Sequence, residues 1–175
     1  MSAGQVLMDE AGMRRSLTRI AHEILERNQG VETLVLAGIV SKGDLLARRL
    51  ALQLQRFEGV AVPVGRLDTS NYRDDRPRQV SSGGSSEMPA LKGRSVVLVD
   101  DVIHHGRTAR AAMDALIEFG RPRSIQLAVL IDRGHRELPI RPDYVGKNTP
   151  TAERERVEVL LQEVDGTDGV VIVDN

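Results

Sequence analysis

The chain has 175 residues, 41% hydrophobic and 28% charged, with a net charge of −1. That suffices for one compact domain (1–175) and provides no global field to draw it to nucleic acid or a membrane. With no cysteine, disulfides, thiolate catalysis and cysteine zinc sites are excluded, and 2% aromatics is too few for a stacking platform for single strands. No run approaches the ~18 apolar residues of a membrane span and no secretory leader is visible, so a cytoplasmic location is expected.

From Asp9 to Gln29, Met13, Leu17, Ile20, Ala21, Ile24 and Leu25 recur at helical spacing, with Asp9 as N-cap and Gly30 as the left-handed stop. "TLVLAGI" (Thr33–Ile39) reads as a buried strand, "VSKG" as a loop, and the run from Asp44 as an acid-capped helix. "VAVPVGRLD" reads as a strand whose Pro63 marks an edge or bulge. Ser70–Arg94 lacks periodicity and is rich in Ser, Gly, Pro and charge, which predicts a flexible lid or binding loop over about 73–93. "SVVLVDD" is the next strand, followed by a helix from Arg107 to Phe119 with Gly120 as its stop, and a buried strand over Ser124–Ile131. "DRGHRELPIRPDYVGKNTP" reads as loop, and "RVEVLLQEV", Asp-Gly and "VVIV" as a terminal hairpin. Apolar strands alternating with helices predict an α/β fold, a mostly parallel twisted sheet flanked by helices.

Ligands of such sheets bind beyond the carboxyl ends of the strands. Three loops leave those ends here: Val40–Gly43, Asp100–Thr108 and Asp132–Asn148. In the central one, Gly106 admits close backbone approach, Thr108 offers a hydroxyl, and the helix N-terminus favours a phosphate. Asp100 and Asp101 lie just upstream, suited to cis hydroxyls or a divalent cation. A ribose 5-phosphate has that layout. The adjacent His104 and His105 invite a metal reading, but neighbours in sequence chelate one ion poorly and no third ligand stands near them in the sequence.

"VVLVDDVIHHGRT" resembles the phosphoribosyl-pyrophosphate motif of the type I phosphoribosyltransferases. "LTRIAHEILERN", "YRDD", "GRPRSIQLAVLIDRGHRELPIRPDYVGKN" and "EVDGTDGVVI" resemble the bacterial pyrimidine-operon attenuation regulators that are also uracil phosphoribosyltransferases. The resemblance covers about residues 5 to 174. It implies a type I phosphoribosyltransferase fold with a small hood from about 132–150 and segments near the termini. It also implies transfer from phosphoribosyl pyrophosphate to uracil, giving UMP and pyrophosphate. Asp100 and Asp101 would hold the ribose hydroxyls and stabilise an oxocarbenium-like transition state. Ile103, His104, His105, Gly106, Arg107 and Thr108 would cradle the 5-phosphate, Val102 would join them in the substrate site, and Ser41, Lys42 and Gly43 would hold the pyrophosphate, with a non-proline cis peptide in that loop. Mg²⁺ would come with the substrate, with Asp100 and Asp101 as its nearest protein carboxylates. A lid starting at Tyr72, Arg73 and Asp74 would exclude water, Arg73 joining the catalytic group. Ile131, Asp132 and Arg133, within the "IDRGHRELP" segment, would frame uracil.

For regulation, the resemblance implies binding of a stem-loop in the pyrimidine mRNA leader, strengthened by UMP or UTP. Thr18, Arg19, His22 and Arg27, with Arg15 and Glu26, would contact RNA from the polar face of the first helix. A homodimer or higher homo-oligomer would gather such faces. Two departures stand out: His104 and His105 replace the family's frequent Tyr or Phe and Thr or Ser, and Glu153 replaces a frequent Lys. The competing readings are a nucleotide-sensing regulator with little catalysis, a purine phosphoribosyltransferase, and a receiver-type signalling module, for which no lysine follows Lys147.

Overall fold

Long apolar strands such as "LVLAGI" must be covered on both faces, and the sheet they build sets every later feature. The computed structural model describes residues 4–74 and 86–174. Its elements are β1 (Gln5–Met8), α1 (Glu10–Asn28), β2 (Leu34–Ile39), α2 (Gly43–Glu58), β3 (Val64–Leu67), β4 (Ser95–Ile103), α3 (Arg107–Ile117), β5 (Ser124–Asp132), β6 (Tyr144–Asn148), β7 (Glu155–Leu160), α4 (Gln162–Asp165) and β8 (Gly169–Asp174). Five parallel strands run in the order β3-β2-β4-β5-β6. Alternate residues of β4 serve opposite cores. Val97 and Val99 pack with α1 and α2, while Val96 and Leu98 pack with α3. A second, antiparallel sheet, β1-β8-β7, draws on both ends of the chain.

Several boundaries differ from the sequence reading, each for a local reason. Asp9 caps α1, accepting from the Gly12 amide at 2.7 Å, but the left-handed residue ending α1 is Gln29 rather than Gly30. Helix α2 starts one residue before Asp44, with Lys42 in the cap position and no side-chain cap; Asp44 sits in the first turn. Strand β3 is confined to four residues because pairing with β2 starts only after Pro63, which cannot donate to a ladder. Helix α3 stops at Ile117, ahead of Phe119. The stretch read as loop after β5 contains β6, whose partly exposed edge position weakens its apolar pattern. Strand β1 was not read, being only four residues with a bulge in its pairing to β8. The terminal hairpin forms as β7 and β8, with α4 inserted between. Of the lid expected over 73–93, residues 75–85 lie outside the described residues.

Two glycines let α2 sit directly on the sheet. A Cβ on Gly38 would collide with the Asp44 backbone, and one on Gly43 with the Val99 carbonyl of β4. The N-terminus of α2 therefore touches the strand end where the acids stand. Gly43→Ala forces an overpacked backbone contact of about 2–3 kcal/mol. We expect a melting temperature lower by about 4–12 °C in thermal unfolding of the ligand-free protein.

Candidate nucleotide site at the strand ends

Strand β4 pairs with β2 only as far as Val99; its last residues pair with β5 alone, Val102 opposite Ile131 and Ile103 opposite Asp132. That overhang leaves Asp100 and Asp101 at an open edge facing the 40–43 loop. Beyond it, Gly106 adopts φ 94° and starts α3 with no side-chain cap. A helix N-terminus without its own cap leaves amides for an anion. The loop's carbonyls are already engaged. Ile103 O accepts from the Arg133 amide, His105 O from the amides of Glu137 and Leu138, and His104 O from Arg136 Nη1 at 2.9 Å. Arg136 also donates to Asp132 Oδ2 at 2.6 Å and to Ile140 O at 2.8 Å. The segment after β5 thus fixes the loop, turning three successive carbonyls to itself.

A cavity of about 250 Å³ lies over this loop, lined by residues 102–109 with Arg73, Asp100, Leu127 and Val129. Asp100 is buried, and burial, followed by the charge of Asp101, raises its pKa well above the ordinary carboxylate range; Arg73 opposes that rise. Asp101 is partly exposed and does not line this cavity. Its backbone amide donates to Asp100 Oδ1 at 2.9 Å, and its own Oδ1 accepts from the Val102 amide at 2.8 Å. Arg107 bonds Asp74 at 2.9 Å and Glu137 at 3.0 Å, joining the first residues of the expected lid to the segment after β5.

A family model for the phosphoribosyl transferase domain matches residues 7–163. The Bifunctional protein PyrR of Brevibacillus brevis is 58% identical over 170 residues, 95% of each chain. That of Bacillus subtilis is 51% identical, covering 100% of this chain and 99% of its own. The chain belongs to the bifunctional PyrR family. Among solved structures, the hypoxanthine phosphoribosyltransferase of Trypanosoma cruzi matches with a TM-score of 0.72 at 21% identity, covering 98% of this chain and 97% of its own. At that identity the likeness shows the shared fold. Membership in the PyrR family bears out the resemblance read from the motifs, and the parallel sheet bears out the fold.

The residues singled out from the sequence lie as follows. The peptide between Val40 and Ser41 is cis, in the loop where one was expected. Ser41 is exposed and Gly43 buried, but the Lys42 ammonium turns away, bonding the Val159 carbonyl and lying 3.3 Å from Asp165. Ile131 is wholly buried in the core, its strand paired with β4 on one side and β6 on the other. Asp132 is held by Arg136 and the Gly134 amide. The buried Arg133 donates to Thr151 Oγ1 at 2.9 Å and to the Ala152 carbonyl. On α1, Arg19, His22 and Arg27 are exposed and Thr18 half-buried. Three of these have partners in the chain. Arg19 donates to the carbonyls of Val145 and Gly146, His22 stacks on Phe57 at 4.1 Å, and Arg27 pairs with Asp143 at 2.6 Å. Sequence reading missed the role of Arg136, whose only signal is membership of a charged loop, and it noted Glu153 as a departure without placing it beside His104.

Because folding raises the Asp100 pKa, folding takes up a proton there. The associated stabilisation is complete below the unfolded value near 3.8 and is lost as pH rises through the folded value. Asp100→Asn needs no proton to be buried neutral. Thermal unfolding without ligand should show it more stable than the parent at pH 8, with the advantage shrinking toward pH 4.

Proposed function

We propose that this site transfers the phosphoribosyl group of phosphoribosyl pyrophosphate to uracil, releasing pyrophosphate and UMP, in a cytoplasmic regulator. One observation carries the reading. An uncapped helix N-terminus, its preceding carbonyls bound elsewhere, opens on a cavity beside a carboxylate pair and Arg73. The amides of residues 103–108 and the Thr108 hydroxyl hold the 5-phosphate, while Asp100 and Asp101 accept from the ribose hydroxyls. As the bond to pyrophosphate lengthens, positive charge grows at the anomeric carbon, and nearby carboxylates stabilise it without reorganising. The backbone of Ser41–Gly43 meets the pyrophosphate, the Lys42 side chain serving instead to fasten this loop to β7 and α4. Arg73 stands where it offsets charge on Asp100 and on the departing group. The backbone at 132–133, just past the buried Ile131, frames uracil. Two adjacent oxygen donors, with Asp101 partly exposed, suit Mg²⁺, which on binding with the substrate supplies charge to the departing pyrophosphate.

The regulatory half lies on α1, where Thr18, Arg19, His22 and Arg27 form a polar face for a pyrimidine mRNA leader stem-loop. UMP or UTP in the pocket strengthens that binding, and a homodimer or higher oligomer gathers the basic faces that a net charge of −1 lacks in one chain.

Asp101→Asn, which keeps size and removes charge, should lower kcat/KM for UMP formation by about 100-fold or more, of order 3 kcal/mol, with little change in melting temperature. A wild-type protein forming no UMP at saturating substrates overturns the transferase reading. Filter binding of leader stem-loop RNA should show affinity rising on addition of UMP; affinity indifferent to UMP overturns the regulatory one.

A further inference from the structure

The two residues that depart from the family pattern in the phosphate loop meet, in space, the residue that departs before β7. His104, His105 and Glu153 each bring one ligand atom within 4.8 Å of the others. His104 Nε2 is shielded from solvent and has no hydrogen-bond partner among the described residues; it lies 3.8 Å from Glu153 Oε2. A buried nitrogen left unmatched is costly and calls for a ligand. The rings of His104 and His105 stack with centroids 3.7 Å apart, and His135 meets His104 edge-on at 5.6 Å. His135 Nε2 bonds the Thr151 carbonyl, which only accepts, so that nitrogen carries the hydrogen. His135 Nδ1 lies 3.1 Å from Glu153 Oε1. A cation between His104 and Glu153 satisfies the solitary nitrogen.

We propose that His104, His105 and Glu153 bind a divalent ion of the Zn²⁺ class, clasping the phosphate loop to the segment before β7, with His135 steadying Glu153. Two imidazoles and one carboxylate are a familiar zinc donor set, and a fourth position stays open for water. Ligand atoms around tetrahedral zinc stand about 3.3 Å apart, so the site closes by a modest turn of the His105 ring, which is about one-third exposed and able to move. Imidazole donors disfavour Mg²⁺, a hard ion that keeps oxygen ligands, so the substrate's ion does not compete. Adjacent histidines chelate poorly where their rings diverge, but here the two rings lie side by side, and folding brings in the third ligand, Glu153, from a distant part of the chain.

Titration calorimetry of the full chain with ZnCl₂ in excess Mg²⁺ should give one ion per chain, at micromolar or tighter affinity, with a higher melting temperature. Glu153→Gln should weaken binding at least tenfold while leaving UMP formation without Zn²⁺ unchanged, and His104→Tyr should abolish it. The chain has four histidines, and His22→Asn, altering the one outside this cluster, should bind Zn²⁺ as the parent does. Melting curves without metal establish that each variant is folded. Zn²⁺ affinity weaker than about 100 μM, or equal in parent and Glu153→Gln, overturns the site and leaves the transferase reading untouched.

Discussion

A phosphate loop works only if its amides face the ligand and its carbonyls do not, and a short loop cannot arrange that alone. Here β4 and β5, nine residues each, run past the end of β2 side by side, so that the chain leaving β5 lies against the chain leaving β4. Residues 133–138 then accept the task of binding the carbonyls of Ile103, His104 and His105. Arg136 joins the system to the Asp132 carboxylate, a charge-assisted contact of the stronger kind. The uncapped α3 N-terminus and the cavity over it depend on this lock. The "DRGHRELP" segment, read from sequence for its nearness to the base, has a second role that spacing does not reveal.

Arginine explains how a nearly neutral chain can be locally so charged. Arg49 on α2 pairs with Glu163 and Asp168, tying the second sheet to the first, and Lys42 adds its contact to Asp165 and Val159. Partly buried forks of this geometry hold better than exposed pairs, because less water competes for the same donors. Arg107, which lines the cavity, spans from Asp74 to Glu137. Opposite charges matched within the fold leave a small net charge. They also mean that a basic count read from sequence overstates what remains for an external anion.

The sheet, its helices and the loop holding the acids were legible because β2, β4 and β5 are apolar runs long enough to announce themselves, each ended by small or charged residues. β1 and β6 were not, since four or five half-exposed residues carry no distinctive pattern. Asp100, Gly106 and Thr108 could be placed because they stand in one continuous motif. Glu153 beside His104, and Arg136 on the His104 carbonyl, could not, since each contact joins positions tens of residues apart. Lys42 shows the opposite failure: its place in the loop was legible, whereas the direction of its side chain depends on where β7 and α4 come to rest.

The polar face of α1 is shaped by the same economy. Arg19 holds α1 to the carbonyls of Val145 and Gly146 in β6, and Arg27 holds it to Asp143 just before that strand. β6 pairs with β5, whose end carries the residues that fix the phosphate loop. The helix assigned to RNA and the loop assigned to phosphate are therefore attached to neighbouring strands of one sheet. A phosphate or base edge that recruits Arg19 must share its guanidinium with two backbone carbonyls or release them, at the cost of the α1–β6 contact. Arg15, exposed one turn earlier on α1, can meet RNA with its side chain and leave that contact intact.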